Sequence, residues 1–156
     1  MAASNAEFRI ADLSDAQIRN LLATHTERAL ANARCREGHA LDLKALQAAD
    51  IEVWSVWVKG VPVAVGALRR IDPTHGELKS MFVADRVRGC GLGQALLDHL
   101  IHTAQQRGMI RLSLETGGSS YFNAARRLYA GNGFTICDAF ADLQPHKDSV
   151  FMTRKI

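Results

Sequence analysis

The stretch from Gly76 to Gln106 constrains the fold more than any other. Gly76–Val83 alternates Leu78, Ser80 and Phe82 against Glu77, Lys79, Met81 and Val83, which predicts a strand. Leu92–Gln106 carries apolar residues at 92, 95, 96, 97, 100, 101 and 104, the period of an amphipathic helix. Between them a polar loop, Ala84 to Gly93, places glycines at 89, 91 and 93. A strand that feeds a helix through such a loop presents free amides and a positive helix end, which together bind anions. Pyrophosphate is the natural occupant. Neither the dinucleotide fingerprint nor the P-loop fits, because both need a glycine where this chain has Gln94. The plainer alternative is a flexible connection in which Gly93 eases helix packing.

The remaining elements read as follows. Glu7–Leu13 is an opening strand, and Ser14 with Gln17 forms a capping box for a helix through Ile18, Leu21 and Leu22. A second helical piece covers Leu41 to Ala48. Ile51–Val58 and Val61–Leu68 form a hairpin about Lys59-Gly60. Ile110–Leu114 is a strand and Tyr121–Ala130 a helix stopped by Gly131 and Gly133. Phe134–Phe140 and Ser149–Thr153 are the last two strands. The order β-α-α-β-β-β-α-β-α-β-β predicts an α/β domain with a mixed sheet.

A chain of 156 residues is expected to form one domain, residues 1–156. With 47% apolar residues and a net charge of +3, disorder is not expected. No run is apolar enough for a membrane span, and Met1–Ile10 lacks a signal peptide's apolar core. Three cysteines, Cys35, Cys90 and Cys137, preclude a full disulfide framework, and no metal-ligand spacing occurs, so a cytoplasmic protein without metal is expected. Residues 69–127 hold nine basic against five acidic side chains, whereas 1–68 hold seven against eight. That surplus is too small for a nucleic-acid face and suits a phosphorylated small molecule.

Arg88-x-x-Gly91-x-Gly93, following Met81-Phe82-Val83 and preceding Ala95-Leu96-Leu97, resembles the acetyl-CoA signature of the GNAT superfamily of N-acetyltransferases. Downstream, Asn123-Ala-Ala-Arg-Arg-Leu-Tyr129-Ala-Gly-Asn-Gly-Phe134 is similar to that family's second motif, and the resemblance covers residues 7–156. Blocks around Glu77, Glu115 and Ser149 resemble a bacterial subfamily whose substrates are poorly defined. The resemblance implies the GNAT fold: a mixed, mostly antiparallel sheet flanked by helices, with a V-shaped splay between its two central strands. It implies acetyl-CoA as co-substrate, its pantetheine arm lying against Met81, Phe82 and Val83. The pyrophosphate would rest on amides of Arg88, Gly89, Cys90, Gly91, Leu92, Gly93 and Gln94, with the Arg88 side chain adding a charged bond. Asn123 would touch the pantetheine region, and Arg126 or Arg127 would approach the phosphates.

Acetyl transfer to an alkylamine, with a pKa of about 10.4, requires a base. Glu77 and Glu115, on the two central strands, are the candidates; each also fits a plain salt-bridged strand position. Glu77 alternates in phase with Met81 and Val83, which would turn it toward the cofactor. Tyr129 matches the family tyrosine that protonates the departing thiolate, against the alternative of an ordinary packed tyrosine. A strand amide near Met81–Val83 would polarise the thioester carbonyl. Attack would be direct, since Cys90 sits in a variable slot of the signature with no histidine beside it in sequence.

His39 and Asp42 fall where the family's acceptor-lining helices lie and are the substrate-binding candidates; a helix-capping role fits them equally. His99 and His102 miss the metal-binding spacing and are expected on a solvated helix face. Trp54 and Trp57 point to opposite faces of one strand. Cys35 reads as a helix residue and Cys137 as strand core. The expected activity is acetyl-CoA-dependent N-acetylation of a small molecule or amino acid, with no nucleic-acid or membrane partner, and the resemblance points to a homodimer. Protein lysine or N-terminal acetylation and a non-catalytic acyl-CoA sensor are the alternatives.

Overall fold

The computed structural model describes residues 2–32 and 43–156. Seven strands form one sheet: β1 (Glu7–Ile10), β2 (Ile51–Val58), β3 (Val61–Asp72), β4 (His75–Val83), β5 (Arg111–Gly117), β6 (Thr135–Cys137) and β7 (Ser149–Lys155). Their spatial order is β1-β2-β3-β4-β5-β7-β6. Among the described residues only β4 and β5 pair in parallel. Three helices accompany them: α1 (Ala16–Asn32), α2 (Leu92–Gln106) and α3 (Asn123–Gly131). This is the mixed, mostly antiparallel sheet that the resemblance implied.

The β4–β5 pairing runs from His75↔Arg111 to Leu78↔Leu114 and then stops. Beyond it, Lys79–Val83 and Glu115–Gly117 diverge, which leaves the facing edges of both strands unpaired. Divergence coincides with a bulge in β4: Val65 pairs Phe82 and Ala67 pairs Lys79, so Ser80 and Met81 together oppose Gly66. Ser80 takes the left-handed conformation, φ 54°. An inserted residue reverses the alternation of side chains downstream of it. Leu78, Met81 and Val83 therefore all pack toward the core beneath α2, whereas Phe82 packs toward α1. Glu77 lies on the face opposite Met81 and Val83, which corrects the alternation expected for this strand.

The sheet separates two apolar clusters. Leu92, Leu96, Leu97 and Leu100 of α2 pack with Leu112, Leu114, Tyr129 and Met152 on one face. Ile18, Leu21 and Leu22 of α1 pack with Val53, Val65, Ala67 and Phe82 on the other. Leu100 is fully buried, so Leu100→Ala is expected to cost about 2–5 kcal/mol, read as a lower urea midpoint. Trp54 and Trp57 pack on the two different clusters, as their strand positions required.

Several boundaries differ from the sequence reading. Asp15, not Ser14, caps α1: its Oδ1 accepts from the Gln17 amide at 2.7 Å, while Ser14 donates its hydroxyl to Asp12 at 2.6 Å. The described part of the segment before β2 forms only a short turn, Ala45–Gln47. β6 is three residues long, because the chain after Cys137 leaves the sheet edge and folds over it, where Phe140 meets Phe151 and His75. Cys137 is accordingly half-buried at an edge rather than in the core. His99 is not solvated: its ring stacks on Phe8 at 4.5 Å and meets Trp54 edge-on at 4.3 Å. His102 is exposed as expected. Among the described residues no helix is long and apolar enough to cross a membrane.

Candidate active site

Two adjoining recesses open where β4 and β5 part. The first is a groove of about 280 Å³ between Met81–Val83, the loop glycines and the start of α2 on one side and Tyr121, Ala125 and Leu128 on the other. The second is a chamber of about 70 Å³ bordered by Glu77, Lys79, Ser80, Glu115 and Ala29. His25, Met81, Phe122, Ala125 and Tyr129 border both.

The groove ends on the glycine loop. Gly89 and Gly91 adopt φ 77° and 81°, and a Cβ on Gly89 would meet nothing within 4 Å, so backbone conformation rather than crowding requires glycine there. The first helical bond of α2 runs from the Ala95 amide to the Gly91 carbonyl at 3.0 Å. The amides from Gly89 to Gln94 consequently have no backbone acceptor among the described residues, and they stand at the positive end of the helix. Leu92 buries its side chain in the core and offers only its amide. The Gln94 side chain is committed to Asp98 at 2.8 Å and Asn132 at 2.7 Å, which ties α2 to α3. Cys90 is exposed. The Arg88 Nε donates to the Val83 carbonyl at 3.1 Å and lies 3.2 Å from Asp85 Oδ1. Asp85 also binds Arg28 of α1 at 2.5 Å, a pairing that holds its carboxyl below the usual range.

The chamber is built around charge. Glu77 is 1% exposed; its Oε1 lies 2.5 Å from Lys79 Nζ and its Oε2 3.1 Å from Arg69 Nε. The second contact lacks hydrogen-bond alignment and acts as an ion pair only. Arg69 in turn donates to Asp142 at 3.0 Å, which depresses the Asp142 carboxyl. Glu115 accepts from the Ser149 hydroxyl at 2.7 Å. The Ser80 hydroxyl is buried without a hydrogen-bond partner, an unmet donor at the bulge. Tyr129 is 6% exposed and packs edge-on against Phe134, and burial raises its phenol above its ordinary 10.0. It is protonated at neutral pH.

Most of the sequence candidates converge here: Glu77, Glu115 and Tyr129 on the chamber, Met81, Phe82, Val83, Arg88, Gly89, Gly91, Leu92 and Gly93 on the groove. Asn123 and Arg126 do not. Arg126 donates to the Gly117 and Ser119 carbonyls and to Asn123 Oδ1, so it closes the end of β5 instead of facing the groove. His39 and Asp42 lie outside the described residues. His25 escaped the sequence reading, although it follows Leu21 by four residues and precedes Ala29 by four, on the buried face of α1. Among the described residues no group of three metal-ligating side chains occurs.

The strand gap thus ends in a crown of free amides and adjoins a chamber holding a carboxylate and a phenol. The profile of the acetyltransferase (GNAT) family matches residues 16–134. The chain is 38% identical over 149 residues to the uncharacterized N-acetyltransferase YsnE of Bacillus subtilis, covering 96% of this chain and 99% of that protein. It is 38% identical over 144 residues to the uncharacterized N-acetyltransferase YedL of Escherichia coli, covering 91% of each. Its fold matches a GNAT family acetyltransferase from Elizabethkingia anophelis, solved with acetyl-CoA bound, at TM-score 0.71 and 19% identity over 97% of this chain and 99% of that one. The chain belongs to the acetyltransferase (GNAT) family and is an acyl-transferring enzyme.

Proposed function

We propose that residues 1–156 form one acetyl-CoA-dependent N-acetyltransferase domain, which moves the acetyl group by direct attack of a small-molecule or amino-acid amine. The observation that carries this reading is the meeting of groove and chamber at Tyr129, within reach of the β4–β5 gap. The residues present fit a CoA thioester. Unpaired strand edges suit the amides of a pantetheine arm, and the amides of Gly89 to Gln94 suit a diphosphate. The acetyl-CoA held by the Elizabethkingia relative supports the same choice of carrier.

Acetyl-CoA, when bound, would supply an activated acyl thioester; everything else falls to the chain. Arg88, half-exposed at the groove, adds a charged contact to the phosphates. A backbone amide near the bulge at Ser80 polarises the acyl carbonyl. Glu77 takes the proton of the attacking amine, directly or through water, with Glu115 as the second carboxylate on the chamber. Lys79 and Arg69 keep the Glu77 carboxylate in place on the chamber wall. Tyr129, protonated at neutral pH, gives its proton to the sulfur as the carbon–sulfur bond breaks.

Calorimetric titration with acetyl-CoA and with CoA tests the reading. Dissociation constants between about 1 µM and 1 mM are expected, as is thiol release with at least one member of a panel of amines and amino acids. Absence of binding by both probes overturns it.

A further inference from the structure

Of the five residues that border both recesses, Met81, Phe122 and Ala125 carry no protic side chain; His25 and Tyr129 do. The two come from different layers, Tyr129 from α3 within the larger cluster and His25 from α1 on the other face. A group at the junction therefore meets one hydrogen-bonding side chain from each layer. Resting on the reading of the groove as the CoA site, we propose that His25 donates a hydrogen bond from its imidazole to the carbonyl oxygen of the bound acetyl thioester. His25 is then a further residue that touches the reacting group.

Packing holds the ring in position. Its centroid lies 5.4 Å from that of Phe82, on the α1 side of β4. Phe82 is itself flanked by the guanidinium groups of Arg28 and Arg88, each 5.7 Å from the ring centre. Its electrostatics fit a donor. Burial, with a smaller contribution from Arg88, lowers the imidazolium pKa to about 4, and no hydrogen bond contributes to the shift. At neutral pH the ring is uncharged and keeps one N–H. The uncharged ring is a poor base and has one N–H to donate. The proton stays on the ring and no transfer to or from His25 is involved; the bond offsets negative charge developing on the carbonyl oxygen.

A rival donor is the Ser80 hydroxyl, buried without a partner. It borders the chamber but not the groove, which favours His25 for a carbonyl attached to the cofactor.

Two readouts test the assignment: the ratio of acetyl-CoA to CoA affinity, and the resonance of carbonyl-labelled acetyl-CoA in the complex. In the wild-type protein the carbonyl carbon is expected to move downfield on binding. His25→Ala should return it toward the free position and cut the affinity ratio roughly five- to tenfold. His25→Asn, which keeps an N–H donor, should restore part of both. Should the alanine variant not fold, His25→Phe removes the donor while filling the space. An unchanged ratio and resonance in a folded donorless variant overturns the proposal. So does loss of both in Ser80→Ala with the His25 variants behaving as wild type. If the wild-type protein binds neither probe, the CoA reading itself falls, an outcome separate from a failure of His25 alone.

Discussion

Tyr129→Phe is expected to slow turnover about 100- to 1,000-fold with the best acceptor of the amine panel, while acetyl-CoA affinity stays within about twofold. Phenylalanine fills the same buried site between α3 and Phe134, so the change removes one hydroxyl and little packing. The separation of rate from affinity is what a proton donor to the sulfur requires, because the bond matters only as the thiolate departs. Equal and mild losses in both would remove the assigned role. A stability measurement adds an independent sign. Burial raises the Tyr129 phenol above its ordinary 10.0, so above that pH the unfolded chain ionises while the folded one does not. The stabilisation tied to the neutral phenol is complete below pH 10.0 and is lost as pH rises toward the folded value. Wild-type protein should lose stability more steeply than Tyr129→Phe in that range.

Glu77→Gln combines the second-largest functional effect with a structural one. Turnover should fall about 100-fold or more through loss of the base. Removing the carboxylate also leaves Lys79 and Arg69 without their shared partner in a nearly closed site, which is expected to cost about 3 kcal/mol by denaturant unfolding. A second change separates the two consequences. Glu77→Gln with Lys79→Met removes the stranded ammonium, while Arg69 keeps Asp142, and should recover part of the lost stability but none of the turnover. Full recovery of turnover in the double variant would reduce Glu77 to a structural ion-pair partner.

The spine of the site was legible because it is written in periodicity and in glycine. Leu92–Gln106 is the helix that its apolar spacing demanded, and Gly89 and Gly91 do occupy left-handed backbone. What alternation could not carry is a residue that drops out of register. Ser80 looks like any other position of β4, yet the bulge at it sends Glu77 and Met81 to opposite faces. Short-range competition also hid outcomes. Ser14 and Asp15 are equally good caps on paper, and Asp12 decides between them by drawing the Ser14 hydroxyl away. The family resemblance put Arg126 near the phosphates, but the carbonyls at the end of β5 claim it first. His25 was within reach of the same helical arithmetic that identified Leu21 and Leu22, had its neighbours been read as a face rather than as a run.

The sheet parts two unequal interiors, and that inequality bears on how such an enzyme diversifies. The larger cluster, beneath α2, carries the loop that would hold the invariant carrier. The smaller one, beneath α1, backs the chamber that an acceptor would enter. Among the described residues, changes on the α1 side that spare His25 and Phe82 put only the lesser share of the buried core at risk, so one amine could be exchanged for another there with most of the folding energy inherited intact.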